Sequence, residues 1–159
     1  RIYNPKIKLV IVGEIFSKEY NKKIIDKIEF LSLDKDVIIL NEIPRDDLLF
    51  LYSRCIFMAY TSLYESCGYI LMEAMSSGAA ICCSRTTAIP EACEDAALYF
   101  DPYSTKDIAE KMRLLIENKK IRESLKSKSI SRSKQIDDFE SITLQINHLI
   151  KNLVKGKPV

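Results

Sequence analysis

The stretch SLYESCGYILMEAMSSGAAICCS, residues 62–84, predicts a helix followed by a buried strand. The helix begins near Gly68, and Gly78 stands just past its end, where a glycine commonly closes a helix in the left-handed conformation. The run AAICCS that follows is short and uninterrupted, which is typical of a strand covered on both faces. Two acids, Glu65 and Glu73, lie on either side of Gly68. A helix that only buries one apolar face does not need these acids.

Further short apolar runs occur on both sides of this stretch and alternate with helical patterns. The strand-like runs are IKLVIVGE, VIIL, IFMAY and ALYF. The helical patterns cover residues 17–33, where Ser17 is the predicted N-cap, and residues 44–55. Such alternation predicts an α/β fold, a Rossmann-like doubly wound parallel sheet with helices on both faces. From Ser104 onward only helical patterns appear, over residues 104–118, with Ser104 as the predicted N-cap, and over residues 141–154, which predicts a helical C-terminal segment.

The composition suits one compact domain and excludes several classes of protein. The chain has 159 residues, 47% hydrophobic content and a net charge of +2, so no overall field favours nucleic acid. Its five cysteines show no C-x-x-C spacing, so we expect reduced, buried thiols rather than a zinc site or disulfides. No apolar run reaches the roughly 18 residues of a membrane span, and we expect a cytoplasmic protein.

The chemistry of residues 65–73 points to a nucleotide sugar. In an open parallel sheet, ligands bind outside the carboxyl ends of the strands, where Glu65 follows IFMAY. The unpaired backbone N–H groups of Gly68, Tyr69 and Ile70 at a helix start would favour a diphosphate. On an ideal helix Glu65 and Glu73 would lie about 80° apart, and their carboxylates would accept hydrogen bonds from sugar and ribose hydroxyls.

Together with AIPEACEDAALYFDP, residues 88–102, this stretch resembles the C-terminal, donor-binding domain of retaining GT-B glycosyltransferases of family 4. The likeness covers roughly residues 8–116 and includes the E-x7-E motif, the small-residue turn, the PE element and the closing DP. It implies that Glu65 is the catalytic residue, approaching hydroxyls of the transferred sugar, and that Glu73 holds the ribose. The implied diphosphate contacts are the amides of Cys67, Gly68, Tyr69 and Ile70, and the implied base contacts are Ile43, Pro44, Arg45 and Leu48.

Several positions depart from the pattern of that family. Thr61 replaces a common proline, Ser66-Cys67-Gly68 replaces G-F-G, and Ala80 replaces a proline after Gly78. Losing the first glycine restricts the backbone, which leaves the path of the loop open. The family's diphosphate-binding arginine and lysine come from a segment before IKLVIVG. We therefore expect residues 1–159 to be a nucleotide-sugar-binding domain, with an N-terminal acceptor domain and the first βα unit outside this chain.

The resemblance implies a metal-independent, retaining hexosyltransferase whose isolated domain is inactive and which uses no cofactor. The expected donor is a UDP-sugar, with UDP-N-acetylhexosamine as a candidate, and the expected acceptor is a lipid-linked saccharide of O-antigen or lipopolysaccharide synthesis. Two alternatives stay open. A nucleotide-binding regulatory module would have no use for Glu65, and a GT-B-type nucleotide-sugar epimerase would need an acid or base, for which Glu65 or His148 could serve.

A basic segment follows the first C-terminal helical pattern. Residues 119–134 contain seven lysines or arginines and one glutamate. A solvated helix face is the ordinary explanation of such a run. The alternative is contact with the anionic inner face of the cytoplasmic membrane, which would bring the enzyme to a lipid-linked acceptor.

Overall fold

The computed structural model describes residues 7–136 and 150–151 and contains two compact units, the first ending at Phe50 and the second beginning at Leu51. The first unit holds strand β1 (Leu9–Val12), helix α1 (Lys18–Phe30) and strand β2 (Val37–Leu40). The two strands pair in parallel, with Leu9 opposite Val37. Ser17 caps α1, since its Oγ accepts the Tyr20 N–H at 3.2 Å, as the sequence predicts. Helix α2 (Arg45–Arg54) begins in this unit.

The second unit contains a three-stranded parallel sheet and its helices. In chain order the elements are β3 (Met58–Tyr60), α3 (Tyr69–Ser76), β4 (Ile81–Ser84), α4 (Ile89–Cys93), β5 (Ala97–Phe100), α5 (Thr105–Glu117) and α6 (Lys119–Ile136). Strand β4 is central, and Cys82 lies opposite Ala59 of β3 and Leu98 of β5. The predicted class is confirmed, and in the described residues the parallel ladders form one two-stranded and one three-stranded sheet.

Strand β4 is covered on both faces, as its unbroken apolar sequence predicts. Every residue of this strand is buried. On one face Cys82 joins an apolar cluster with Phe100, Leu115 and Leu125, to which β5, α5 and α6 contribute. Side chains alternate along a strand, and on the other face Cys83 lies beside Cys93 of α4.

The C-terminal helices bury Ser129 and Ser133, two serines of the basic segment. Ser104 caps α5 through a 3.2 Å bond from the Asp107 N–H, as predicted. Residues 119–136 then form α6, where Ser129 is buried and donates to the Ala79 carbonyl at 2.8 Å. Small residues at this face let α6 approach α3 closely. The helix predicted over residues 141–154 falls outside the described residues except for 150–151, which are helical.

Candidate functional site

The segment between β3 and α3, residues 61–68, is called the Glu65 loop below. Gly68 ends it as the N-cap of α3, with φ of 80°, a left-handed conformation that favours glycine. A Cβ atom on Gly68 would lie 3.2 Å from the Ala92 Cβ of α4. Because α3 begins at Tyr69, Glu65 lies outside the helix, and the 80° helical projection of Glu65 and Glu73 is wrong.

The loop follows its path without a glycine at its first motif position. Among the described residues other than glycine, positive φ occurs at Ser32, Thr87 and Glu94. Ser66 is not one of them, so it adopts an ordinary backbone conformation for an L-residue. The loop therefore does not need the positive φ at Ser66 that a glycine would permit.

The Glu65 carboxylate accepts hydrogen bonds from one side chain and from its own loop. Oε1 accepts the N–H groups of Ser66, Cys67 and Gly68 at 3.1, 3.4 and 3.1 Å, and Oε2 accepts the Tyr60 phenol O–H at 2.5 Å. These donors lower the pKa of Glu65, with Tyr60 as the largest cause and the Gly68 amide next. Burial, followed by the bond to Glu65, raises the pKa of Tyr60 to about 12. At neutral pH the pair is therefore a phenol donating to a carboxylate.

The four predicted diphosphate-binding amides divide into two groups. The N–H groups of Cys67 and Gly68 donate to Glu65 itself. Tyr69 and Ile70 are the first residues of α3, and their N–H groups find no acceptor within residues 7–136 or 150–151. Their position at the positive end of the helix dipole suits a negatively charged partner.

The loop between β4 and α4 fixes the backbone of Glu65. Thr87 Oγ1 accepts the Glu65 N–H at 2.9 Å, and the Ala88 N–H donates to the Glu65 carbonyl at 3.4 Å. Thr87 has φ of 46°, which is a rare conformation for a β-branched residue. Sequence analysis missed Thr87 and Tyr60. Nothing in the sequence links Thr87 to a residue 22 positions earlier, whereas Tyr60 carries a weak signal as the last residue of the strand before Glu65.

Glu73 lies in the second half of α3, about 6 Å along the helix axis from Tyr69 at 1.5 Å per residue. Its side chain is half-buried. Burial raises the pKa of the Tyr52 phenol, and the nearby negative charge of Glu73 raises it further. The two acids of the motif therefore occupy different settings, one in the loop and one beside a buried phenol.

The residues implied in base binding lie at the start of α2 in the first unit. The Pro44 carbonyl accepts the Leu48 N–H at 3.1 Å and closes the first helical turn. Ile43 and Leu48 are half-buried, whereas Pro44 and Arg45 are exposed. These residues belong to the first unit, and the Glu65 loop and α3 belong to the second.

The thiols differ in exposure. Cys82, Cys83 and Cys93 are buried as predicted, Cys55 is half-buried, and Cys67 in the Glu65 loop is exposed. The expectation of uniformly buried thiols is therefore wrong for Cys67, because the loop turns it away from the core. In the described part of the chain, no group of three or more His, Cys, Asp or Glu side chains is arranged to hold a metal ion. His148 falls outside the described residues.

Several basic side chains of residues 119–134 form hydrogen bonds or ion pairs with other residues of the chain. Arg122 donates to the carbonyls of Leu115 and Ile116, and Arg132 donates to those of Glu91 and Ala92. Ion pairs also join Lys126 to Glu123, Lys128 to Asp95 and Arg132 to Glu94. For Lys119, Lys120 and Lys134 no such contact occurs within the described ranges. No helix within residues 7–136 or 150–151 is both long and apolar enough to cross a membrane.

Comparison with known proteins identifies a family and a fold. The family model described as "Glycosyl transferases group 1" matches residues 1–132. The O-antigen chain mannosyltransferase B of Escherichia coli is 32% identical over 114 residues, which are 72% of this chain and 30% of that protein. The chain thus spans less than a third of the length of this relative.

Two solved structures share the fold. The Anabaena protein Alr3699/HepE in complex with UDP superposes with a TM-score of 0.81 at 23% identity, over 94% of this chain and 42% of that one. The C-terminal domain of the group 1 glycosyl transferase LpcC from Francisella tularensis superposes with a TM-score of 0.74 at 24% identity, over 82% of this chain and 70% of that one.

Proposed function

Since this chain belongs to the group 1 glycosyl transferases, we propose that its Glu65 loop and the start of α3 bind a nucleoside-diphosphate sugar for glycosyl transfer. The observation that carries the proposal is that one short segment presents a carboxylate and a series of backbone N–H groups side by side. A sugar offers hydroxyl donors to the carboxylate, and a diphosphate accepts from the amides. Both parts of such a donor are matched by this segment.

The proposed roles follow the order of the groups in the donor. Glu65 accepts from hydroxyls of the transferred sugar, the amides of residues 67–70 face the diphosphate, and Glu73 holds the ribose. Residues 43–48 border the base. For the diphosphate to reach the amides of Cys67 and Gly68, Oε1 of Glu65 must first leave them. The diphosphate of the donor therefore replaces the Glu65 carboxylate as the acceptor of these two N–H groups.

The proposed reaction is metal-independent transfer with retention at the anomeric carbon. The bond between that carbon and the diphosphate oxygen breaks, the acceptor oxygen forms the new bond on the same face, and the proton of the acceptor hydroxyl passes to the leaving diphosphate. Negative charge that develops on the leaving diphosphate is stabilised by N–H groups already oriented at the start of α3. This chain would then bind and orient the donor, and turnover would require the acceptor-binding part of the enzyme.

The sugar and the acceptor are proposed from the relatives. The Escherichia coli relative is a mannosyltransferase of O-antigen synthesis, and the Anabaena neighbour was solved with UDP. Mannose is accordingly the first sugar to test, alongside the UDP-sugars that the sequence resemblance implies. We propose a lipid-linked saccharide as the acceptor, and transient contact of residues 119–134 with the cytoplasmic membrane is part of that proposal.

Titration calorimetry tests the donor proposal directly. The full chain should bind one of UDP, GDP or ADP, and Glu73→Gln should weaken that binding by about 1–3 kcal/mol if a charged hydrogen bond to ribose is lost. Glu110→Gln makes the same change on the exposed face of α5 and should leave affinity unchanged. Equal nucleotide affinity in the wild type and in Glu73→Gln would contradict the assignment of Glu73.

The same titrations separate the alternatives. Glu65→Ala should bind the free nucleoside diphosphate at least as tightly as the wild type, because Oε1 no longer occupies the Cys67 and Gly68 amides. It should lose the additional affinity contributed by the sugar. A regulatory module would show no such loss, because it has no use for the sugar-binding carboxylate. An epimerase would interconvert nucleotide sugars without an acceptor, which proton NMR of the donor would detect.

A further inference from the structure

The structure gives Glu65 a side-chain partner that the motif does not contain. Tyr60, the last residue of β3, donates its phenol O–H to Glu65 Oε2 at 2.5 Å. The Tyr60 backbone is fixed by the sheet, since Tyr60 pairs with Cys83 and its carbonyl accepts the Ser84 hydroxyl at 3.4 Å. The main chain of Tyr60 is therefore fixed beside the loop, and its phenol reaches Glu65 from that position.

The backbone of Glu65 is fixed independently of its side chain. Thr87 accepts its N–H and Ala88 donates to its carbonyl, so the main chain is tied to the loop after β4 at both polar atoms. Any relocation of the carboxylate must then occur by rotation of its own side chain. The two carboxylate oxygens also differ, since Oε1 contacts loop amides and Oε2 contacts Tyr60.

Donor binding would affect the two oxygens differently. A diphosphate at the start of α3 would take the amides of Cys67 and Gly68 away from Oε1. The Tyr60 contact is not made by an amide, so a diphosphate that binds the amides would leave it in place. We propose that Tyr60 is a positioning residue that holds Glu65 through Oε2 while Oε1 turns from the loop amides to the hydroxyls of the bound sugar.

This inference rests on the proposed function and adds to it a residue that determines how well the sugar is held. Without the phenol, the released carboxylate would be free to rotate, and part of its contact with the sugar would be lost. The effect should fall on the sugar and not on the nucleotide, because the Tyr60 phenol donates to the Glu65 side chain, lies close to the Ser62 side chain and bonds no backbone N–H group of the loop within the described residues. Tyr60 would then act on the sugar through Glu65.

Calorimetry on the full chain tests the role with Tyr60→Phe. Relative to the wild type, the gain in affinity from nucleoside diphosphate to nucleotide sugar should fall about tenfold, which corresponds to about 1.4 kcal/mol. Affinity for the free nucleoside diphosphate should change less than about twofold. Tyr99→Phe is the matched control, since it removes a phenol bond of the same length, from Tyr99 to the Glu94 carbonyl.

Two further measurements distinguish positioning from general damage to the fold. In a Glu65→Gln background, Tyr60→Phe should produce much less additional loss, because the two residues act as one unit. In the donor-free chain, a carbon-13 NMR titration should show the pKa of Glu65 rising toward its ordinary value of 4.5 in Tyr60→Phe and staying lowered in Tyr99→Phe.

The outcomes separate this inference from the proposed function. If the wild type binds nucleotide sugar and Tyr60→Phe binds it equally well, the positioning role is overturned and the donor site stands. Equal losses for free nucleotide and nucleotide sugar would also overturn it, since they would indicate a structural effect. If the wild type bound no nucleoside diphosphate or nucleotide sugar at all, the proposed function would fail and the role of Tyr60 would fail with it.

Discussion

Replacing Gly68 by alanine should destabilise the second unit and disturb the start of α3. The residue has φ of 80°, and a left-handed conformation costs an L-residue roughly 1–2 kcal/mol. Its new Cβ would lie 3.2 Å from the Ala92 Cβ, and overpacking at a rigid site costs about 1–3 kcal/mol. Alanine also restricts the unfolded chain, which favours the folded state by about 0.4–1 kcal/mol. We therefore expect a net loss of about 2–3 kcal/mol.

Gly78→Ala is the matched comparison in the same unit. Gly78 has a similar φ of 73°, but the nearest atom to its added Cβ is the flexible Ile130 Cδ1 at 3.4 Å. The backbone strain is shared and the overpacking is smaller, so the loss should be about 1 kcal/mol. Gly13→Ala provides a second control, because no atom lies within 4 Å of its added Cβ and no strained φ occurs there.

Urea unfolding followed by circular dichroism measures these differences from the midpoint at a constant slope. Calorimetry under native conditions should also show weaker nucleoside diphosphate binding by Gly68→Ala, because relief of the contact with Ala92 moves the first amides of α3. If Gly68→Ala is as stable as Gly78→Ala, the contact with Ala92 does not constrain the start of the helix. That result would refute the argument from close approach.

Three other changes test separate parts of the structure. The pKa of Glu65 is lower in the folded chain than its ordinary value of 4.5. The ionised carboxylate therefore stabilises the fold above about pH 4.5, and this stabilisation is lost as the pH falls through the lowered pKa. Glu65→Gln should lose less stability on acidification than the wild type, as urea midpoints at a series of pH values would show. Cys67 should react with a thiol reagent in the native chain, and a bound nucleoside diphosphate should slow that reaction; no protection at saturating nucleotide would place the ligand elsewhere. Arg132→Gln removes contacts to residues 91–94 and should cost about 1–3 kcal/mol in thermal unfolding, whereas Lys134→Gln should cost almost nothing; equal melting temperatures would mean that the Arg132 contacts add no net stability.

The sequence by itself determined the order of strands and helices because local patterns encode them. The apolar runs became β1 to β5, and Ser17 and Ser104 cap the helices for which they were predicted. Each of these features depends on residues within one turn or one short run. Residues 62–84 together with residues 88–102 also indicated the family from sequence, since these motifs lie close together in one part of the chain.

Only the tertiary structure decided what Glu65 contacts and which conformation its loop adopts. Thr87 reaches Glu65 across 22 residues, and Ser129 reaches Ala79 across 50 residues. Such bonds depend on how separate loops and helices pack, and no local pattern records that packing. The helical projection of the two acids failed because Gly68, in a left-handed conformation close to Ala92 of α4, is the N-cap of α3 and leaves Glu65 in the loop.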